Sequence, residues 1–374
     1  MLGIKKNSLV LAAFILSFAA VWQMGAHWFE QARVLAANTK VVSTQAEVTE
    51  YLDGLGSENA ARVEVPTGVF IQSLVFSSSS NVNLTGYIWQ KYPVGYPYEK
   101  GIIFPEQIAS GDTVMKQEYT EMVAHEGAQH ELIGWYFDVT VRQSFNYYRY
   151  PLDFLTIWLR IWPADFENDA NIRLVPDFGS YDDPTARKFG LDADLVQGEW
   201  NIDQSFFSYR DVAYDTSFGY PPTADDDLYH ELYFNLGAER KFINAFVINL
   251  VPLFVVALLL FAGIMTISDD KEQSSRFGFS TSGLIGTCSA LFFVVMLSHI
   301  QVRAQFAGSG LVYIEYFYLV MYGMILLTAL NGYLFSLHRR RALAFLHYED
   351  NFIAKVSFWP VLLWAMLLIT WAML

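Results

Sequence analysis

The sequence predicts a membrane protein with an extracytoplasmic antiparallel β-sandwich, a following four-helix transmembrane bundle and one further transmembrane helix at the N-terminus. Three observations predict it. Apolar runs from Phe242 to Ile267, Thr281 to Val302, Leu311 to Leu337 and from Val356 onward are each long enough to cross a hydrocarbon core of ~30 Å at ~1.5 Å per residue. A fifth apolar stretch runs from Leu9 to Trp28. Between the first stretch and the others the chain is polar and aromatic-rich, with the alternation of strands. The parts are therefore an N-terminal anchor or signal (1–30), a connector (31–64), a β-domain (65–240) and a four-span domain (241–374) with a cytoplasmic loop near 338–355.

The first stretch has a basic start at Lys5 and Lys6, as a signal peptide does. Trp22, Met24, Trp28 and Phe29 carry its apolar character past a normal signal core and favour a retained anchor. Lys5 and Lys6 place the N-terminus in the cytoplasm, and the densest basic cluster, Arg339–Arg341, then falls inside as well. This orientation predicts a multi-pass protein of the plasma (inner) membrane with its large domain extracytoplasmic or periplasmic. Asp269, Asp270 and Glu272 fall on a cytoplasmic link, where acid would favour cations; a solvated link explains them equally well.

In the β-domain, Val69, Ile71, Ser73 and Val75 alternate with Phe70, Gln72, Leu74 and Phe76, and a serine-rich turn leads to a second run through Trp89. The pair reads as a hairpin. Further strands are expected at Gly134–Arg142, Phe154–Trp162, Asn171–Val175, Glu199–Tyr209 and Leu228–Leu236, and one helix at Asp112–Glu126. Many short strands punctuated by Pro, Gly and Asp suggest a sandwich.

The net charge of −14 disfavours nucleic acid as a partner. The single cysteine, Cys288, lies inside an apolar run, so neither an intramolecular disulfide nor a thiolate metal site is expected. His125 and His130 are separated by one residue too many for a zinc-protease pair on one helical face, and a surface loop is the better reading. Asp225–Asp227 reads as a solvated turn ahead of a cation site. No nucleophile elbow, phosphate loop or dinucleotide turn is present, so neither an enzyme nor a cofactor is expected.

Several local patterns occur in one order. Tyr150-Pro151-Leu152-Asp153 follows a strand, Glu199-Trp200 precedes a late strand, and Arg240 ends the last strand twelve residues before Pro252. With the span count, this order resembles the pentameric ligand-gated ion channels (the Cys-loop or Pro-loop superfamily), in their bacterial form, from about Val65 to the end. The chain departs from that pattern in its first span, in lacking the flanking cysteines of the animal receptors, and in the proline-free link Gln301–Gly310.

The resemblance implies a homopentamer in membrane lipid whose ectodomain binds an unknown small-molecule ligand and opens a pore to ions. The second apolar run would line the pore through Ser282, Ile285, Gly286, Ser289, Phe293 and Met296, which share one side of a helix. Close packing of small residues is the competing explanation of that stripe. Trp89, Tyr181, Tyr214, Phe218 and Tyr220 are the candidate ligand aromatics, able to hold an ammonium by cation–π attraction, with core packing as the alternative. Asp153 and Arg240 would meet near the membrane, and Pro252 would give a flexible point in its span. The alternative function is a non-conducting membrane sensor or assembly protein using the same ectodomain.

Overall fold

The computed structural model describes residues 6–30, 39–55, 62–108, 114–216, 218–219, 229–270, 272, 280–306, 308–337 and 346–374. Tyr220, Asp225–Asp227 and Arg339–Arg341 lie outside these residues. The chain divides into two compact units. A β unit comprises Arg33–Phe145 and Phe154–Arg240; a helical unit comprises Met1–Ala32, Asn146–Asp153 and Lys241–Leu374.

The β unit holds ten strands among the described residues, in two five-stranded sheets. Strands β1 (Thr39–Val42), β9 (Trp200–Val212), β10 (Tyr229–Arg240), β7 (Phe154–Pro163) and β4 (Ile102–Ile103) are neighbours in that order in one sheet. Strands β5 (Val114–His125), β6 (Ala128–Arg142), β3 (Asn81–Pro93), β2 (Val63–Phe76) and β8 (Ile172–Pro176) form the other. Inward residues of the two sheets meet: Phe76 stacks on Trp200 with ring centroids 5.0 Å apart, and the Tyr209 hydroxyl donates to the Leu174 carbonyl at 3.0 Å. The described part of the expected connector belongs to this unit, since β1 pairs with β9 and is followed by helix α2 (Gln45–Asp53).

Three expectations are corrected here. The segment expected as a helix at Asp112–Glu126 is the edge strand β5 from Val114 onward. Its glutamates and glutamine suit a helix, but the Glu126-Gly127 turn has φ values of 51° and 81°, the geometry that closes a two-residue hairpin onto β6. His125 and His130 thereby flank a hairpin turn. The sheets are not wholly antiparallel, because β2 runs parallel to β8. The face assignment in β2 is right only up to Ile71: a bulge at Gln72 shifts the register, so that Leu74 is buried and Val75 is 55% exposed.

That bulge depends on Gly86 across the ladder, paired with Ile71. A Cβ at Gly86 would overlap the Phe70 carbonyl oxygen, a backbone atom that cannot move aside.

In the helical unit, five helical segments among the described residues are long and apolar enough to cross a membrane. They are α1 (Lys6–Phe29), Phe242–Met265, α5 (Thr281–Gln305), α6 (Tyr313–Ser336) and α7 (Phe352–Met373). The second consists of α3 (Phe242–Ala245), one π-helical turn (Phe246–Leu250) and α4 (Val251–Met265). Pro252 follows the π turn with one residue, Val251, between them. Proline lacks an N–H and its ring crowds the carbonyl four residues back, and a widened turn relieves both. With its ten strands and five apolar helices, the chain has the make-up of a membrane protein with one β-rich domain.

Hydrogen bonds fix which helix ends lie together. At one end, the Asp269 N–H donates to the Asp350 carboxylate (2.6 Å), Asn331 and Asn351 exchange amide bonds, and Lys6 pairs with Glu349 (3.0 Å). At the other, the loop 146–153, the π turn, the end of α5 and the start of α6 converge. Helix α1 runs parallel to α7, with Trp364 donating to the Leu16 carbonyl at 3.1 Å.

Gly86→Ala is expected to destabilise the protein by about 2 kcal/mol or more. The midpoint of thermal unfolding in detergent checks this; an unchanged midpoint would show that β2 can give way.

Candidate functional site

Two clusters of polar side chains stand out, one in each unit. In the helical unit, the cluster starts from the backbone. The first N–H groups of α6 have no acceptors within their own helix. Tyr313 donates to the Tyr148 carbonyl (2.8 Å) and Ile314 to that of Tyr150 (3.3 Å). The Glu315 carboxylate turns back to accept from the Val312 N–H at 2.8 Å, half of a capping box. Tyr147 and Tyr150 then flank Phe306 at the end of α5, with centroids 5.0 and 4.6 Å away.

Side chains extend this junction. Asn249, buried in the π turn, donates to the Tyr150 hydroxyl and to the Ala245 carbonyl, both at 3.0 Å, and accepts from the Tyr318 hydroxyl at 3.5 Å. The Tyr318 ring stacks on His299, whose Nδ1 lies 3.2 Å from the Tyr322 hydroxyl. His299 Nε2 and Arg303 Nη1 stand 3.3 and 3.1 Å from the carboxylate of Glu315, which is fully buried. Arg303 also donates to the carbonyls of Phe306, Ser309 and Gly310, closing the link from α5 to α6 around itself. Asp153, also buried, belongs to this unit.

Helix α5 buries one stripe: Leu284, Cys288, Leu291, Val295 and Val302. Ser282, Gly286, Ser289 and Phe293 lie on the opposite side of the helix and are exposed, as is Ile285; Met296 flanks them and is partly covered. The expected face thus points away from the helix's own neighbours. Asp269, at the far end of the unit, accepts from His347 at 2.9 Å, while Asp270 and Glu272 are exposed.

In the β unit, alternation along β7 and β10 sets Trp158, Arg160 and Trp162 beside Glu231, Tyr233 and Asn235 on one face of a sheet. Glu231 is 6% exposed and saturated: Trp162 Nε1 (2.8 Å), the Tyr214 hydroxyl (2.5 Å) and the Tyr233 hydroxyl (2.8 Å) donate to it, and Arg160 pairs with it at 3.3 Å. Arg160 also pairs with Glu106 and donates to the Tyr214 hydroxyl. Its guanidinium lies 5.7–5.8 Å from the ring centroids of Trp158, Trp162 and Tyr233. Arg210 covers Tyr233 at 4.2 Å. Two arginines and two glutamates balance in charge, and the aromatic rings already hold a cation. Burial raises the pKa of Glu106 against the opposing pull of Arg160, and burial lowers that of Arg210, with Arg160 adding repulsion. Burial also lifts Asp169 to about 6, opposed by Arg62 and reinforced by Glu231.

The structure therefore sorts the predicted ligand aromatics. Tyr214 and Phe218 come together, 5.2 Å apart, at the edge of the Arg160 cluster. Trp89 and Tyr181 pair elsewhere, 5.5 Å apart, on a structural footing: Trp89 donates to Asp177, and the Tyr181 hydroxyl exchanges bonds with the Val69 backbone. Arg240 belongs to the β unit, pairing with Glu199 at 2.9 Å and lying 4.0 Å from the Trp200 ring centroid. Arg240 and the Glu199-Trp200 pair thus meet across β9 and β10.

Sequence reasoning missed Arg160, Glu231 and Glu315. The signal for the first was Trp-x-Arg-x-Trp in a strand, which sets a cation between two rings on one face; for the last it was a lone acid within an apolar span. Among the described residues no group of three or more His, Cys, Asp or Glu side chains is placed to hold a metal. No family model matches the chain, and no curated protein matches it.

Glu315→Gln is expected to cost about 1 kcal/mol, because it removes the charge that Arg303 pairs with, while that guanidinium, 37% exposed, keeps solvent and its carbonyl acceptors. Replacing both partners, as Arg303→Met with Glu315→Leu, should cost less than the sum of the single changes; additive losses in a double-mutant cycle would refute the pairing. For Asp169, the raised pKa means that the folded chain holds the proton more tightly than the unfolded chain. Stability from this group is present below about pH 4 and lost as pH rises through about 6. Asp169→Asn should abolish that loss in a pH series of melting midpoints, and a variant that keeps it would exclude Asp169 as the source.

Proposed function

We propose that the chain is a subunit of a ligand-responsive channel in the plasma membrane, built as a homopentamer. An extracytoplasmic β-sandwich acts on a four-helix bundle, and α5 faces the water path. The observation that carries this reading is the grouping of 146–153. The segment is covalently continuous with β6 and β7, yet its carbonyls cap α6 and its tyrosines flank Phe306 at the end of α5. A shift of those strands would reach the end of α5 through bonded neighbours. A channel regulated by an external domain requires that continuity.

The outward stripe of α5 supports the same reading. Ser282, Gly286 and Ser289 offer a small, polar surface, with Phe293 a bulky ring one turn beyond. Five such helices would give a hydroxyl-lined path with an apolar constriction that closes by dewetting. Exposed acids at Asp270 and Glu272 suit cations at the cytoplasmic mouth. On the ligand side, the site bounded by Tyr214 and Phe218 has Arg160 among its rings. A simple ammonium is thus a weaker candidate than a ligand that meets an arginine and a carboxylate together.

Particle images of the detergent-purified protein should show fivefold symmetry with an axial hole; a monomer or dimer would exclude the assembly. In planar bilayers, Ser289→Cys should lose most of its current after a charged methanethiosulfonate, whereas Cys288 in the unsubstituted chain should not react. Fivefold particles that carry no current in any condition would instead support a non-conducting sensor.

A further inference from the structure

The helical unit has a half-open hollow of about 700 Å³, and one of its walls is α1. Every residue around it is apolar. Gly25 and Trp28 come from α1, Phe246 from the π turn, Phe254 from α4, Met321 from α6 and Trp359 from α7. A groove this size leaves its apolar lining without contact partners unless something apolar fills it. Water is a poor filler, because the walls offer it no set of polar partners. The lining therefore suits an apolar occupant.

Its depth is marked by hydrogen bonds. The Trp28 indole donates to the Tyr313 hydroxyl at 2.9 Å, and that hydroxyl meets Thr370 Oγ1 at 2.7 Å. Trp28 lies at the end of α1, where an amphipathic ring on a spanning helix sits at the edge of a bilayer. From there the hollow runs inward along α1 from Trp28 to Val21 and along α7 from Met366 to Trp359, about 10 Å at the helical rise. Its rim, including Val21, Val251 and Phe254, is exposed and apolar, so the hollow opens onto the lipid-facing surface of the same helices.

We infer that this hollow is a lipid site: the upper part of a membrane lipid's acyl chain lies between α1 and helices α4, α6 and α7. The extra helix makes the site, because α1 turns an open flank of the other helices into a half-open slot. The inference rests on the helices crossing a bilayer and is independent of conduction, so it survives if the chain forms no pore.

The test uses the full chain in nanodiscs made with a phosphatidylcholine that carries a diazirine on its acyl chain. After irradiation and proteolysis, label should concentrate on the peptides bearing Val21–Phe29 and Trp359–Met366. A Cβ built at Gly25 meets no atom within 4 Å, so Gly25→Leu has room to enter the slot and should cut that label severalfold. Gly323, whose Cβ position is equally open but off the slot, serves as the control: Gly323→Leu should leave the label in place. Should Gly25→Leu fail to fold, labelling of the unsubstituted chain decides by itself. Label spread evenly over all exposed helix faces, or a disulfide between copies through Gly25→Cys that removes the label, overturns the inference.

Discussion

The helical unit depends on one constraint, the unmet backbone donors at the start of α6. Where water is scarce, each such group costs several kcal/mol if left alone. The loop 146–153 supplies the carbonyls of Tyr148 and Tyr150, and Glu315 supplies an acceptor for Val312. The rest follows in sequence. With its carbonyl fixed by Ile314, Tyr150 has its ring on Phe306 and its hydroxyl within reach of Asn249. Asn249 lies in the π turn that accommodates Pro252, so the loop, the proline and the end of α5 share one set of bonds. Displacing any one of them strands a buried polar group on another.

The ion pair beneath this cap is a device of position more than of strength. Buried pairs gain little net stability over apolar replacements, since desolvation consumes most of the Coulomb attraction. Arg303 binds Glu315 and three carbonyls, which fixes the path of the α5–α6 link. The outward face of α5 is different. Ser289 donates to the Ile285 carbonyl and Thr287 to that of Gly283, each one turn back in the same helix. Those hydroxyls need no external partner, so the face tolerates lipid, water or another helix. Assembly decides what it meets.

Legibility varied with the range of the interactions. Five apolar runs and most strands are local signals of period and composition, and they were readable. On α5 the buried residues recur at helical spacing, which orders its two sides without saying what the exposed side meets. The bulge at Gln72 was not: Val75 alternates properly with its neighbours, and only pairing with β3 through Gly86 reveals the extra residue. Strand β5 was hidden because an exposed edge strand carries the same polar residues as a surface helix. Trp89 and Tyr181 looked like ligand aromatics because composition does not distinguish a ring that faces solvent from one whose polar atom is already bonded to Asp177 or Val69. Arg160 and Glu231 lie 71 residues apart in a 374-residue chain, and only the register of β7 with β10 brings them together.

That pair also changes the chemistry of the β unit. An aromatic cluster beside carboxylates, read from sequence, invites an external cation. Here the cation is part of the chain: Arg160 lies among three rings and is paired with two carboxylates. A small ammonium entering the cluster would need to displace a tethered guanidinium whose effective concentration far exceeds that of a free ligand. Glu231 is saturated by four donors, so expelling Arg160 would also unbalance Tyr214, the residue that leads from β9 toward Phe218. The local charge balance thus points away from the simple cations that the aromatic content alone would suggest.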